Sequence, residues 1–223
     1  MAMNLNDLYK KVSAIPIGDF PPSALSGLLH GYISVYSIVR VSPWLEDVYG
    51  SQWDIHERIR EIAGELADLI KDPDVALEDR VGYVADLMEA YLTYSDMDFL
   101  DIALDAAYGI ISPEGNGEIV LPCRTPEMCR LLCSCYYFTR EKECVELAKS
   151  IIKEWGNEQN FKVLALWRIV RAIEFYNNVT DIEEKIDSRM ELFEELFSRE
   201  NSDKFEDVVL YFEILSVKSY EEI

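Results

Sequence analysis

The chain has 223 residues, 49% of them hydrophobic, and 42 acidic against 21 basic side chains, a formal net charge of −21. That is enough apolar residue for a packed core, which excludes a disordered chain. The charge argues against a nucleic-acid or anionic-lipid partner, because affinity for phosphate rests on clustered Lys and Arg. Five cysteines, an odd number crowded between Cys123 and Cys144, do not read as a secreted disulfide framework. The N-terminal MAMNLNDLYKKV has no apolar stretch like that of a signal peptide, so the expectation is a soluble, cytoplasmic protein with no membrane span.

Residues 1–22 read as a lead-in, ending in the proline-punctuated IPIGDFPP. Ser23 is a plausible N-cap for a first helix to about Val41, with Leu25, Leu28, Leu29, Tyr32, Val35, Tyr36 and Val39 at helical spacing. That segment is uncharged apart from His30, yet it is short for a membrane span and suits a well-buried soluble helix. Ser42-Pro43 stops it, and a connector with Trp44, Tyr49 and Gly50 leads to a second helix, about Trp53 to Lys71, closed by Asp72-Pro73-Asp74. These two helices form a first hairpin over 23–76.

The stretch 77–111 reads as a second hairpin. Val84, Leu87, Met88, Tyr91 and Leu92 mark one helix, Ser95 and Asp96 the turn, and Phe99, Leu100, Ile102, Ala103, Ala106 and Ala107 the next. A shift of 45 residues brings Leu87 onto Leu132, Tyr91 onto Tyr136 and Ala103 onto Ala148. Asp96, Asp98 and Asp101 fall on Glu141, Glu143 and Glu146, and twelve of the 24 positions 84–107 are apolar in both copies. A repeated hairpin over 126–157 is the economical explanation. A long loop, 112–125, separates the two; a fourth hairpin over 158–200 and a capping helix within 201–223 complete a single domain.

The expected fold is all-α: a right-handed stack of about four antiparallel helical hairpins, as an open solenoid or a partial toroid. Tyr late in the first helix of a pair, with Ala midway along the second, resembles tetratricopeptide-type repeats. The wording AYLTYSDMDFLDIALDAA also resembles hairpins of the (α/α) toroid enzymes that act on sugars. The interval of 45 is longer than the roughly 34 residues of a tetratricopeptide array. Four hairpins are also fewer than a full toroid has.

No catalytic constellation emerges. Cys129 and Cys133 would share a helix face near Cys123, but their partners in the 45-residue shift are apolar, which makes them small core residues rather than metal ligands. His56-Glu57-Arg58-Ile59-Arg60 falls short of the zinc-protease helix because position 60 is arginine, and His30 stands in no motif. Asp96, Asp98 and Asp101 lack the glycine and terminal glutamate of a calcium loop. No cofactor or metal is expected.

Charge distribution is more informative. Residues 72–118 hold twelve acids, Asp86 and Glu89 among them, and one base, Arg80. Asp98, Asp101 and Asp105 would share an exposed helix face, serving either as a solvating surface or as a docking face for a basic partner. Long loops in such domains are often functional, and the tip of this one adds Glu114, Asn116 and Glu118. The expectation is a non-enzymatic module that binds a protein or peptide, as an adapter or an inhibitor of the immunity type. The alternative is a carbohydrate-binding or reduced carbohydrate-active protein, which would set Trp44, Trp53, Tyr91, Tyr136 and Trp167 around a pocket with carboxylates.

Overall fold

A computed structural model of the chain describes residues 4–111, 119–155 and 205–223. The described residues form nine α-helices: α1 (Leu5–Ser13), α2 (Pro22–Val41), α3 (Glu46–Tyr49), α4 (Gln52–Lys71), α5 (Leu77–Tyr94), α6 (Met97–Ile110), α7 (Pro126–Thr139), α8 (Lys142–Trp155) and α9 (Phe205–Glu221). There is no β-strand among them. None of these helices is long and apolar enough to cross a membrane.

Local chemistry explains most of the boundaries. Asn4 caps α1 by accepting from the Asp7 N–H at 2.9 Å. Leu5, Leu8, Tyr9 and Val12 then place its buried side chains at helical spacing. This helix lies within the stretch read from sequence as a lead-in. The first long helix starts one residue before the expected cap: Pro22 takes the first helical position, where its missing N–H costs nothing. At α4 a reciprocal pair forms. The Ser51 hydroxyl accepts from the Asp54 N–H, and the Asp54 carboxylate accepts from the Ser51 N–H. The connector to α5 is fastened by Arg80, which donates to the carbonyls of Asp72 and Val75 at 2.8 and 3.0 Å.

The two central pairs match in detail. α5 and α6 are joined through Ser95 and Asp96 and pack together, as do α7 and α8 through Arg140 and Glu141, while α5 packs on α7. Shifting α6 by 45 residues gives the bounds of α8, and the end of α5 falls on the end of α7. Both first helices close on a left-handed residue, Ser95 at φ 55° and Arg140 at φ 63°. These are the two positive-φ non-glycine residues of the described backbone. They stand 45 residues apart.

The core runs through α2, α4, α5 and α7, with α6 and α8 flanking. Ile55, Ile59, Ile62 and Leu66 of α4 are buried. So are Val84, Leu87 and Met88 of α5, and Met128, Leu131 and Leu132 of α7. The C-terminal helix α9 packs chiefly along α2 and also against α1, bringing the ends of the sequence together. It does so across a notch: a Cβ placed on Gly27 would lie 2.8 Å from Val209 Cγ1, and one on Gly31 2.4 Å from Phe212 Cε1. Tyr9, Tyr32 and Phe212 pack their rings together there, at centroid distances of 5.3–6.2 Å. The region expected to form the fourth hairpin, with Trp167, lies outside the described residues.

Four of the five cysteines are core residues, at positions whose partners in the 45-residue shift are apolar. Cys129, Cys133, Cys135 and Cys144 are buried and Cys123 is half-buried, all as free thiols. Burial pushes the Cys144 thiol up to about 11 and the Cys135 thiol higher still. The side-chain hydrogen bond with Cys129, and then burial, raise Cys133 in the same direction. The native protein should therefore show one slowly reacting thiol, Cys123, toward an aromatic disulfide reagent at mildly alkaline pH, and all five in denaturant. Rapid labelling of several thiols in the folded state would contradict this packing.

Candidate functional site

Two features stand out, one inside the helices and one on their surface. The inner one joins three helices. α2 supplies His30, α5 supplies Asp86 and Glu89 three residues apart on one face, and α7 supplies Arg130. Arg130 Nη2 donates to Asp86 Oδ1 at 2.5 Å and to Glu89 Oε2 at 3.0 Å, and its Nε donates to Glu89 Oε1 at 3.3 Å. The guanidinium thus grips Glu89 with two nitrogens, the forked geometry that lysine cannot reproduce. His30 Nε2 lies 3.0 Å from Asp86 Oδ1 and 3.5 Å from Glu89 Oε2. The imidazole and the guanidinium thus meet at the same oxygen, Asp86 Oδ1, with Nε2 also 3.2 Å from Arg130 Nη2.

Burial makes the cluster unusual. Arg130 is 1% exposed and Asp86 0%, while His30 and Glu89 retain a small solvent-facing edge. Burial alone would lower the Arg130 pKa, but the Glu89 and Asp86 carboxylates more than offset it, holding the guanidinium well above its ordinary range. Arg130 is charged at every accessible pH.

His30 Nε2 and oxygens of Asp86 and Glu89 lie within 4.8 Å of one another, a spacing that a divalent ion could bridge. The guanidinium stands inside that spacing, with Nη2 at 2.5, 3.0 and 3.2 Å from the three ligand atoms. An ion at the same point would have to displace a buried positive charge. Chemically this is a buried ion-pair network with Arg130 as its cation, and its members tie α2, α5 and α7 together.

Asp86 corrects the reading of residues 72–118 as an acidic surface. It is an interior residue, and Glu89 is mostly covered as well. The 45-residue register carried the signal. Asp86 falls on Leu131 and Arg130 falls on Ala85, both fully buried. A charged residue whose counterpart in the 45-residue register is buried and apolar announces an interior partner.

The outer feature lies on α6. Asp98, Asp101 and Asp105 are all exposed and share one side of the helix, with exposed Met97 and Tyr108 at either end of the stripe. Asp96 caps the helix by accepting from the Asp98 N–H at 3.1 Å. It also pairs with Arg60 of α4 at 3.4 Å. On α8 the register mates of Asp98 and Asp101, Glu143 and Glu146, are exposed too.

Beside this face a cleft between α6 and α7 is lined by Leu104, Ala107, Tyr108, Ile111, Cys135, Thr139 and Glu141. It is too shallow to hold a water molecule. Glu114, Asn116 and Glu118 lie outside the described residues. Beyond them Ile119 and Leu121 pack against the core while Val120 is exposed.

Comparison of the chain with protein-family models, with curated proteins and with solved structures finds no match in any of the three.

Proposed function

We propose that the protein is a non-enzymatic helical-repeat module that binds a basic protein or peptide. The observation that carries this reading is the exposed face of α6. There Asp98, Asp101 and Asp105 stand in one row with no base among them, bounded by Met97 and Tyr108. A stripe of that kind offers both parts of a docking site. Charge speeds and orients encounter, and an apolar side chain at each end supplies contact area once water is expelled.

The coincidence of helix bounds and left-handed turn residues at an interval of 45 supports a repeated hairpin. Stacked hairpins generate extended surfaces without special chemistry. The fold class proposed is accordingly a right-handed stack of hairpins of the tetratricopeptide type. An adapter or an immunity-type inhibitor of a basic toxin are two forms the module could take.

The sugar-binding alternative draws less support. It calls for an aromatic-lined pocket with paired carboxylates, whereas the cleft beside α6 is shallow and has one carboxylate, Glu141. Tyr91 is half-buried, its ring set edge-on to Phe138 at 5.8 Å, as a core contact would be.

The test is charge reversal of Asp98, Asp101 and Asp105 to lysine. Capture from the source cell's lysate at low and moderate salt should yield a basic polypeptide with the native chain. The triple variant should associate with that polypeptide on the order of 10–1000-fold more slowly, with a flattened salt dependence. Unchanged affinity and salt dependence would remove the α6 face from the binding site.

A further inference from the structure

The largest exposed apolar side chains of the described residues are two tryptophans, Trp44 at 73% and Trp53 at 70% exposure. Indole is the costliest side chain to leave in water, and aromatic anchors of this kind dominate binding energy at protein interfaces. Val41 and Val48 are exposed in the same segment.

The segment is a corner held in place by hydrogen bonds. Gln52 donates through its backbone N–H and its side-chain amide to Glu46 Oε1, at 3.4 and 3.5 Å, fastening the start of α4 to the start of α3. Trp44 is two residues before Glu46 and Trp53 directly follows Gln52, so both indoles belong to this corner. The Tyr9 hydroxyl donates to the Tyr49 carbonyl at 2.5 Å and ties the corner to α1. Trp53 also stacks on His56, with ring centroids 6.4 Å apart and planes 24° from parallel. The indoles are thus displayed from a structured base.

The surrounding charge selects the occupant. From Val41 to Glu57 the chain carries Glu46, Asp47, Asp54 and Glu57, with Arg40 and Arg58 at the two edges of the segment. Glu46 and Asp54 already accept from Gln52 and Ser51. An apolar partner would still strip water from all four carboxylates, whereas a cation can lie on an indole face and pair with an adjacent one. Arginine suits this best, because its planar guanidinium stacks on an aromatic ring while its edge donates to a carboxylate. Asp54 adjoins Trp53, and Glu57 follows one turn later on α4. Two turns along the same helix from Trp53, Arg60 meets Asp96 at the head of α6. The corner and the acidic face are therefore joined through α4.

We propose that Trp44 and Trp53 are the aromatic anchors for an arginine-bearing basic polypeptide, lying at one end of the surface whose other end is the α6 acidic face. This deepens the proposed function and rests on its choice of a basic polypeptide as the partner.

The experiment is calorimetric titration of the full chain with oligo-arginine and with oligo-lysine of equal length. It is run on the native protein, Trp44→Ala, Trp53→Ala and the triple lysine variant of α6, with helicity checked for each. Oligo-arginine should bind several-fold tighter than oligo-lysine. Each tryptophan substitution should weaken oligo-arginine binding roughly tenfold and erase the preference, as loss of a stacked cation requires. If both tryptophan variants bind as the native protein does while the α6 variant is weakened, the anchor proposal falls and the acidic-face reading stands. The reverse pattern supports the anchors and overturns the α6 face. Absence of binding to either peptide overturns both. Two further results would reassign the corner and overturn the proposal: a dimer that Trp53→Ala disperses, or a neutral oligosaccharide bound through the same indoles.

Discussion

Replacing Arg130 with methionine is expected to lower folding stability by about 3–5 kcal/mol, read as a fall in the urea midpoint at unchanged slope. The volume of the side chain is nearly kept, so the loss is electrostatic in origin. With the guanidinium gone, Asp86, 0% exposed, and Glu89, 15% exposed at the side chain, face each other and His30 with no cation among them. Each carboxylate must then ionise in a poorly solvated place beside a like charge, or take up a proton. Arg130→Lys should fall between, because an ammonium preserves the charge but not the two-nitrogen grip on Glu89.

The pairing itself is tested by a double change. Asp86→Asn with Arg130→Met should recover part of the loss, since the fully buried carboxylate is then neutral and only Glu89, which keeps a solvent-facing edge, lacks its cation. An Arg130→Met protein within about 1 kcal/mol of the native chain would mean that water reaches the cluster, and the interior ion-pair account would fail. The network is not required for stability in the abstract, because apolar side chains packed in the same space often do as well. Its value lies in register. Asp86, Glu89 and Arg130 meet at hydrogen-bonding distance only when α5 and α7 are correctly aligned, and His30 extends the same condition to α2.

The helix bounds were legible because their causes are local. Apolar spacing, the Ser95–Asp96 turn and the proline stops gave α2 and α4 through α8 to within a residue or two. The same logic was available for α1, where Asn4 precedes Leu5, Leu8, Tyr9 and Val12, but the prolines just beyond dominate that stretch. The exposed row of Asp98, Asp101 and Asp105 followed from helical spacing alone.

The interior cluster did not, because its members lie 56, 44 and 100 residues apart in contacting pairs and no spacing rule connects them. Counting acids by segment put Asp86 on the surface. Its buried apolar register mate, Leu131, was the better guide. The tryptophan corner was legible as residue types and invisible as exposure. Trp44 and Trp53 read equally well as core, and only packing decides which side of a helix start faces water.

The placement of α9 on α2 turns on two glycines four residues apart, and this gives a prediction with an internal control. Gly31→Ala is expected to destabilise the protein by about 1–3 kcal/mol, although alanine is the better helix former by about 1 kcal/mol. The added methyl would sit 2.4 and 2.5 Å from two atoms of the Phe212 ring. That ring is fully buried and wedged against Tyr9 and Tyr32, so it has nowhere to retreat without lifting α9. Gly64→Ala in α4 makes the same chemical change with nothing within 4 Å of the new methyl, and should stabilise by about 0.5–1 kcal/mol. Identical substitutions should thus move the urea midpoint in opposite directions. Adding Phe212→Leu should relieve part of the clash in the Gly31 variant while costing stability in the native background. Amide exchange should show protection lost first along α9 and the facing side of α2, with α5 and α7 spared. If Gly31→Ala instead raises stability as Gly64→Ala does, α9 does not seat in the Gly27–Gly31 notch, and the meeting of the two ends of the chain would need another account.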